Sequence, residues 1–304
     1  MDSTIYTVDV VSPQFPCGAA WLANALLELQ VPLPHLWGFE TASEWEHENS
    51  GRSLYVAEHL PWRQTLASLE FGRSFTFRNG VVPRFSHAFP WQLDFCARVV
   101  LIARDPRDAL YSEWQRHLRN ERPASSVSFL DFLRQPFLGG PISVVDMLWL
   151  HLRCWLWMRD STPSTLLLLR FEDWKRQPVD ALDVVTRWIG MPCEFEALRH
   201  AAAASDVRRL LDIERTVTSS NPDARQFNRL GEPEEWRNAW LDQWTHALGA
   251  HWQPVLHALG YQPLPSTGAA PLMFDIAEVL AWRGMRDTAQ VHTWRERCGL
   301  EYLP

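Results

Sequence analysis

Apolar positions along the chain fall into strand-like and helix-like runs, and their order is informative. Ile5 to Val11 alternates and is β-branched, which predicts a strand. A Pro- and Gly-containing stretch, Ser12 to Gly18, reads as a loop, and Ala19 to Leu29 as a helix. Residues 30–80 are polar, with turn signals at Asn49-Ser-Gly51 and Asn79-Gly80, and predict short helices and loops. Pro83 to Pro90 reads as a short strand ending in a loop. Val99 to Ala103 is a continuous apolar run of strand length, as expected of a strand covered on both faces in a parallel sheet. Arg104-Asp105-Pro106 ends it, because proline cannot donate to a ladder and disfavours helix in the residue before it. From Asp108 the period turns helical, with Ala109, Leu110, Tyr111 and Trp114 on one broad face.

Further on, Ser128 to Leu133 and Val144 to Met158 predict helices separated by Gly139-Gly-Pro141, and Thr165 to Arg170 a second buried strand. Val179 to Ile189 is amphipathic and stopped by Gly190 and Pro192. Ala197 to Glu214 reads as helix, Thr216 to Glu235 as a polar loop, and Trp236 to Leu248 and His251 to Leu259 as helices. A Pro/Gly/Ser linker, Gln262 to Pro271, precedes a final helical piece of about thirty residues.

Composition narrows the function classes. The 304 residues, 46% hydrophobic, suffice for one large α/β domain or two small ones. A formal charge of −7 argues against a nonspecific nucleic-acid binder. Lys175 is the only lysine, so work usually given to lysine falls to arginine. Many of the 17 tryptophans are expected in the core, some in an aromatic wall for an acceptor. Cys17, Cys96, Cys154, Cys193 and Cys298 show neither metal-ligand nor disulfide spacing, which favours a reducing compartment, and no metal is implied. The first residues lack signal-peptide character, and Val144 to Met158 is too short and polar to span a bilayer. A cytoplasmic protein is the expectation.

The chemistry concentrates at strand ends. Ligands of open α/β sheets bind in the crevice outside the carboxyl ends of the strands. Arg104 stands at such an end, and its planar fork suits phosphate or sulfate. The competing reading pairs Arg104 structurally with Asp105 or Asp108. The strand–loop–helix of residues 5–29 could offer backbone N–H groups to an anion at the helix N-terminus. It lacks the GxxxxGK(S/T) pattern of nucleotide-hydrolysing loops, so ATP or GTP hydrolysis is disfavoured.

Taken in order, these pieces resemble the cytosolic-type sulfotransferase family, which uses 3′-phosphoadenosine-5′-phosphosulfate (PAPS); the resemblance covers roughly residues 5–261. Val99 to Ser112 is similar to the family's strand followed by R-(N/D)-P-(K/R)-D and a later serine. Leu166 to Pro178 resembles the "YEDLKxDP" strand and turn, Arg229 to Trp236 keeps the spacing of "RKGxxGDW", and Ser86-His87 with Phe89-Pro90-Trp91 is similar to "KTHLP". The resemblance implies a three-layer α/β fold: a central, mostly parallel sheet flanked by helices, with a P-loop-like strand–loop–helix at its start. Residues 1–261 would form the sulfotransferase-like domain and 262–304 a linker with a C-terminal helical extension. By the same resemblance Arg104 and Ser112 hold the donor's 3′-phosphate, under a loop carrying Arg229, Leu230 and Gly231. Cys17, Gly18, Ala19 and Ala20 form the 5′-phosphosulfate loop, while Trp21 and Phe171 lie near the adenine. Histidine titrates near neutral pH, and His87 is the expected general base, ahead of His59 in Glu58-His-Leu-Pro61, which lies much farther upstream of Arg104 than the family spacing suggests. The acceptor would be a hydroxyl or amine of a small molecule or glycan, and a homodimer is left open.

The sequence also departs from the family. Its first loop, "PKSGTTW", is matched by Pro16-Cys-Gly-Ala-Ala-Trp21, without the lysine; a two-residue insertion would put Gln14 in its place. Phe85 and Leu230 replace two further lysines, with Arg84 a candidate substitute cation. Three readings therefore stand: an active PAPS-dependent sulfotransferase, a degenerate member that binds nucleotide or acceptor without transfer, and an unrelated α/β protein using Arg104 and Arg229 structurally.

Overall fold

The computed structural model describes residues 6–29, 31, 81–93, 98–120, 127–220, 231–238, 248–263 and 274–283, with 289, 292, 293 and 296 beyond them. Among the expectations above, those on residues 30–80 (His59 included), Arg229, Leu230 and most of the helix expected from Trp236 lie outside the described residues.

The strand-like runs become β1 (Tyr6–Val11), β2 (Val81–Ser86), β3 (Arg98–Ala103) and β4 (Leu166–Arg170). All their pairings are parallel, in the order β2-β1-β3-β4. The chain leaves β1 for one side and then returns past it to the other, so the strand order reverses between β1 and β3, where open sheets form a ligand crevice. The helices are α1 (Ala19–Glu28), α2 (Pro106–Asn120), α3 (Phe129–Arg134), α4 (Val144–Ser161), α5 (Phe171–Arg176), α6 (Pro178–Ile189), α7 (Phe195–Ala204), α8 (Val207–Ser220), α9 (Gln253–Ala258) and α10 (Ile276–Trp282).

β3 is the middle of the core because its alternate side chains feed opposite layers. Val100 and Ile102 pack with Leu22 and Leu26 of α1 and Leu182 and Val185 of α6. Val99 and Leu101 pack with Trp155 of α4. That two-sided demand is why the run is apolar without alternation, and it gives the expected three-layer α/β arrangement. Local signals set the ends. Ser143 Oγ accepts from Asp146 N at 3.1 Å to start α4, and Gly190, at φ 84°, closes α6 in the left-handed region that glycine tolerates.

The expectations over residues 197–220 differ from the structure. The helix read over Ala197 to Glu214 is two, α7 and α8, because Ser205 turns its hydroxyl back to Ala201 O at 2.7 Å and Asp206 caps Arg208 N at 2.9 Å. Helix α8 runs on to Ser220, five residues into the segment expected as loop from Thr216. The C-terminal piece packs back on the body: Ile276, Val279 and Leu280 of α10 are fully buried in the cluster that holds α3, α4 and α9. Among the described residues no helix is long and apolar enough to cross a membrane.

Candidate functional site

Three connections, after β1, β2 and β3, and the start of α5 directly after β4 lie along the carboxyl edge of the sheet, and each carries residues singled out in the sequence. After β1 comes Ser12 to Gly18, then α1. Gly18 has φ +87°, and a Cβ there would meet Phe171 Cδ2 at 2.6 Å, so glycine is needed for both its backbone and its close approach. Cys17 is buried; burial pushes its thiol up to about 11, against the opposing effects of hydrogen bonds with Ser12 and the Ala19 backbone and of the Arg104 charge. It is an inert thiol at neutral pH. Ala19 and Ala20 open α1, whose first N–H groups have no partner within the helix. Trp21 stands edge-on to Phe171 at 6.1 Å and to Trp174 at 4.8 Å between ring centroids.

Arg104 follows β3 and is only 4% exposed. Its guanidinium lies over the Phe171 ring at 4.5 Å, and a Cβ on Gly231 would come within 3.3 Å of its Nη2. Arg104, Phe171, Gly18, Trp21 and Gly231 are thus brought together from four separate stretches of chain. Of the structural pairings considered for Arg104, the one with Asp105 does not form and the one with Asp108 is a loose ion pair at 3.9 Å. Asp105 is taken by Arg107, through Nε at 2.8 Å and Nη2 at 2.6 Å. Asp108 accepts from the backbone N–H of Glu234 at 2.7 Å and of Trp236 at 3.2 Å, leaving a loose 3.9 Å to Arg104 Nη2. Arg104 Nε and Nη2 are buried with no hydrogen-bond partner. A buried charged donor without an acceptor is costly, and the usual remedy is a bound anion.

The segment from Gly231 is tied down at both ends by residues that the sequence did not mark as its anchors. Lys175 on α5 donates to Gly231 O and to Glu232 Oε2, both at 2.8 Å. Asp108 holds the Glu234 and Trp236 end, and Arg107 stacks on Trp236 at 4.3 Å. Asp108 and Ser112 are one helical turn apart on α2, so the buried Ser112 shares the face that meets this loop. Burial raises the Asp108 carboxyl to about 6, against the opposing effects of Arg104 and the two N–H groups. A cavity of about 520 Å3 adjoins the same loop, lined by Arg107, Arg170, Lys175 and Arg237 among others. Each of those cations has a carboxylate within 2.9 Å, unlike Arg104.

His87 follows β2. Its Nδ1 lies 3.0 Å from Ser12 O and 3.2 Å from Ser12 Oγ, across the β1–β2 edge. A carbonyl only accepts, so Nδ1 carries the proton and Nε2 keeps the lone pair in the neutral ring. Arg84 was a candidate for the missing loop cation. It is instead bound at 2.8 Å by both oxygens of buried Asp9, its register partner on β1, and is not available for that role. Among the described residues no cluster of His, Cys, Asp and Glu could hold a metal ion.

The geometry agrees with comparisons to known proteins. Among solved structures, retinol dehydratase in complex with androsterone and the inactive cofactor PAP aligns with a TM-score of 0.54 at 17% identity, covering 82% of this chain and 80% of that one. A mouse sulfotransferase, SULT7A1, complexed with PAP aligns with a TM-score of 0.52 at 14% identity, covering 84% and 86%. These likenesses show a shared fold. Among curated proteins, Cytosolic sulfotransferase 5 of Arabidopsis thaliana is 23% identical over 151 residues, 46% of this chain and 46% of the relative. Cytosolic sulfotransferase 1 of the same plant is 25% identical over 150 residues, 46% and 45%. The chain matches about half the length of these relatives. The sulfotransferase domain model matches residues 81–260, more than half of the sequence, and the chain belongs to the sulfotransferase family.

Proposed function

We propose that this protein is a PAPS-dependent sulfotransferase acting on a hydroxyl or amine of a small molecule or glycan. The observation that carries the reading is Arg104: a buried guanidinium with two nitrogens lacking a hydrogen-bond acceptor, at the carboxyl end of the central strand. Arg104 and Ser112, with the loop of Arg229, Leu230 and Gly231, would hold the 3′-phosphate. Trp21 and Phe171 would flank the adenine, and Cys17 to Ala20 would present backbone N–H groups to the 5′-phosphosulfate. The PAP named in both structural relatives, and the androsterone in one of them, support a nucleotide donor and a small-molecule acceptor. The cytosolic names of the curated relatives support a cytoplasmic place.

In the proposed reaction the acceptor oxygen or nitrogen attacks sulfur in line. The bond from sulfur to the 5′-phosphate oxygen breaks, the acceptor's proton passes to His87 Nε2, and PAP leaves. Catalysis of this kind is mainly positioning and charge stabilisation. The Ser12 carbonyl, by holding Nδ1–H, orients His87 and favours the imidazolium that forms. The experiment is transfer of radiolabelled sulfate from PAPS to a panel of phenols, alcohols, amines and glycans. His87→Ala is expected to lower turnover about 100-fold or more while PAP still binds. Near-normal turnover in His87→Ala would remove the base from the mechanism. PAP binding by wild-type protein without transfer to any acceptor would favour the non-catalytic binder, a reading motivated by the missing loop lysine and the commitment of Arg84 to Asp9.

A further inference from the structure

The turn that carries His87 is held from two sides, and one of them lies outside the segment matched by the family model. From α4, His151 Nε2 and Trp155 Nε1 both donate to Ala88 O, at 3.1 and 2.9 Å. His151 is fully buried and its pKa is lowered to about 3, by desolvation first and then by the Arg283 charge, so it remains a neutral donor. Phe89 N donates to the Gln92 side chain at 2.8 Å. From the C-terminal side comes Arg283, the residue that ends α10. Its Nη2 donates to His87 O at 3.4 Å, and its guanidinium stacks on the Phe89 ring at 5.3 Å. Gln92 Nε2 in turn donates to Arg283 O at 2.7 Å, so the two segments bind each other reciprocally.

We propose that Arg283 is a positioning residue for the transfer reaction, fixing the His87–Gln92 turn and through it the imidazole that takes the acceptor's proton. Anchoring α10 does not require a cation there. Ile276, Val279 and Leu280 are already fully buried, each supplying about 1.5–3 kcal/mol of burial free energy. A guanidinium is a costly addition: burial lowers its pKa, its Nε is buried without a partner, and among the described residues no carboxylate pairs with it. What it supplies beyond packing is a directed, charge-assisted donor to the carbonyl of His87. Ser12 holds the ring of that residue and Arg283 holds its backbone, so the two together leave the imidazole little freedom to swing.

This inference rests on His87 being the base, and its test is chosen to separate the two. Arg283→Met keeps the length and apolar stem of the side chain; Arg283→Lys keeps the charge. In Arg283→Met, kcat is expected to fall about 10- to 100-fold, with the KM for PAPS and the affinity for PAP within about twofold of wild type, and Arg283→Lys is expected to recover part of the loss. On a His87→Ala background the Arg283→Met loss is expected to vanish, because the residues act as a unit. A loss that persists in full on that background, or an unchanged kcat, would overturn the proposal. A second readout stands apart from turnover. In 15N-histidine NMR spectra the His87 signal, assigned by its absence in His87→Ala, is expected to be a single Nδ1–H tautomer in wild type and a mixture in Arg283→Met. An unaltered signal in Arg283→Met overturns the positioning role even if no acceptor is ever turned over.

Discussion

Arg104 is the residue on which function and stability part company. A structural arginine, removed, leaves its carboxylate partner exposed to a large penalty. The ion pair of Arg104 with Asp108 is loose, at 3.9 Å, and Asp108 is held by two backbone N–H groups; Arg104 Nε and Nη2 are buried without a hydrogen-bond acceptor, and its face rests on Phe171. Replacing an unsatisfied buried donor with an apolar group of similar shape is close to neutral or stabilising. Arg104→Met is therefore expected to leave the unliganded fold within about 1 kcal/mol of wild type, or above it, in urea unfolding. A loss of several kcal/mol would return Arg104 to a structural role.

Asp108 gives a second test at the same scale. Its folded pKa of about 6 stands above the ordinary 3.8, so the folded state holds the proton more tightly than the unfolded chain. The stability linked to this proton is fully present below about 3.8 and is lost as pH rises through 6; from the difference in pKa it amounts to about 3 kcal/mol at most. The stability of wild type relative to Asp108→Asn is expected to decline between pH 4 and pH 7, read by unfolding in urea at each pH. A difference that stays flat across that range would place the carboxyl near its ordinary value.

Among the elements, the loop from Gly231 shows what sequence does and does not reveal. Its glycine could be picked out by spacing alone, and the structure gives the reason: any Cβ would crowd Arg104. Its anchors could not. Lys175 is 56 residues away and Asp108 126 residues away from the atoms they hold, and nothing local marks either for that role. The solitary status of Lys175 in an arginine-rich chain is the one signal that could have pointed to it. Lys175→Met removes the donor to Gly231 O while keeping the stem on α5. It is expected to weaken PAP binding about 5- to 20-fold with little change in unfolding midpoint, since a charge-assisted hydrogen bond contributes about 1.5–3 kcal/mol and the lysine is partly exposed. Unchanged affinity would mean the loop holds its place without it.

Strands and the helices beside them were legible because burial on both faces dictates a continuous apolar run, as in Val99 to Ala103. The break at Ser205–Asp206 was not, because an apolar period continues through it and only the side-chain bonds of those two residues divide the helix. The partnership of His87 with Ser12 also escaped local reading: it spans 75 positions and exists only because β1 and β2 are neighbours in the sheet.

At the scale of the molecule, the parallel sheet with reversed order between β1 and β3 assembles a site from residues scattered over the sequence, from Gly18 to Gly231. The C-terminal helix α10 returns to the same edge and reaches the turn of His87. Arg104 brings a buried cation without a hydrogen-bond acceptor on two of its nitrogens, and His87 an imidazole held through Nδ1; the proposed donor would place its 3′-phosphate at the first and its sulfate toward the second. The first measurement to make is calorimetric titration of wild-type protein with PAP, alongside Arg104→Met. Binding at about micromolar Kd, raising the melting temperature of wild type and absent in Arg104→Met, is the expected result. No binding by folded wild-type protein, or equal binding by both, would contradict the assignment of Arg104 as the donor's phosphate site and with it the proposed function.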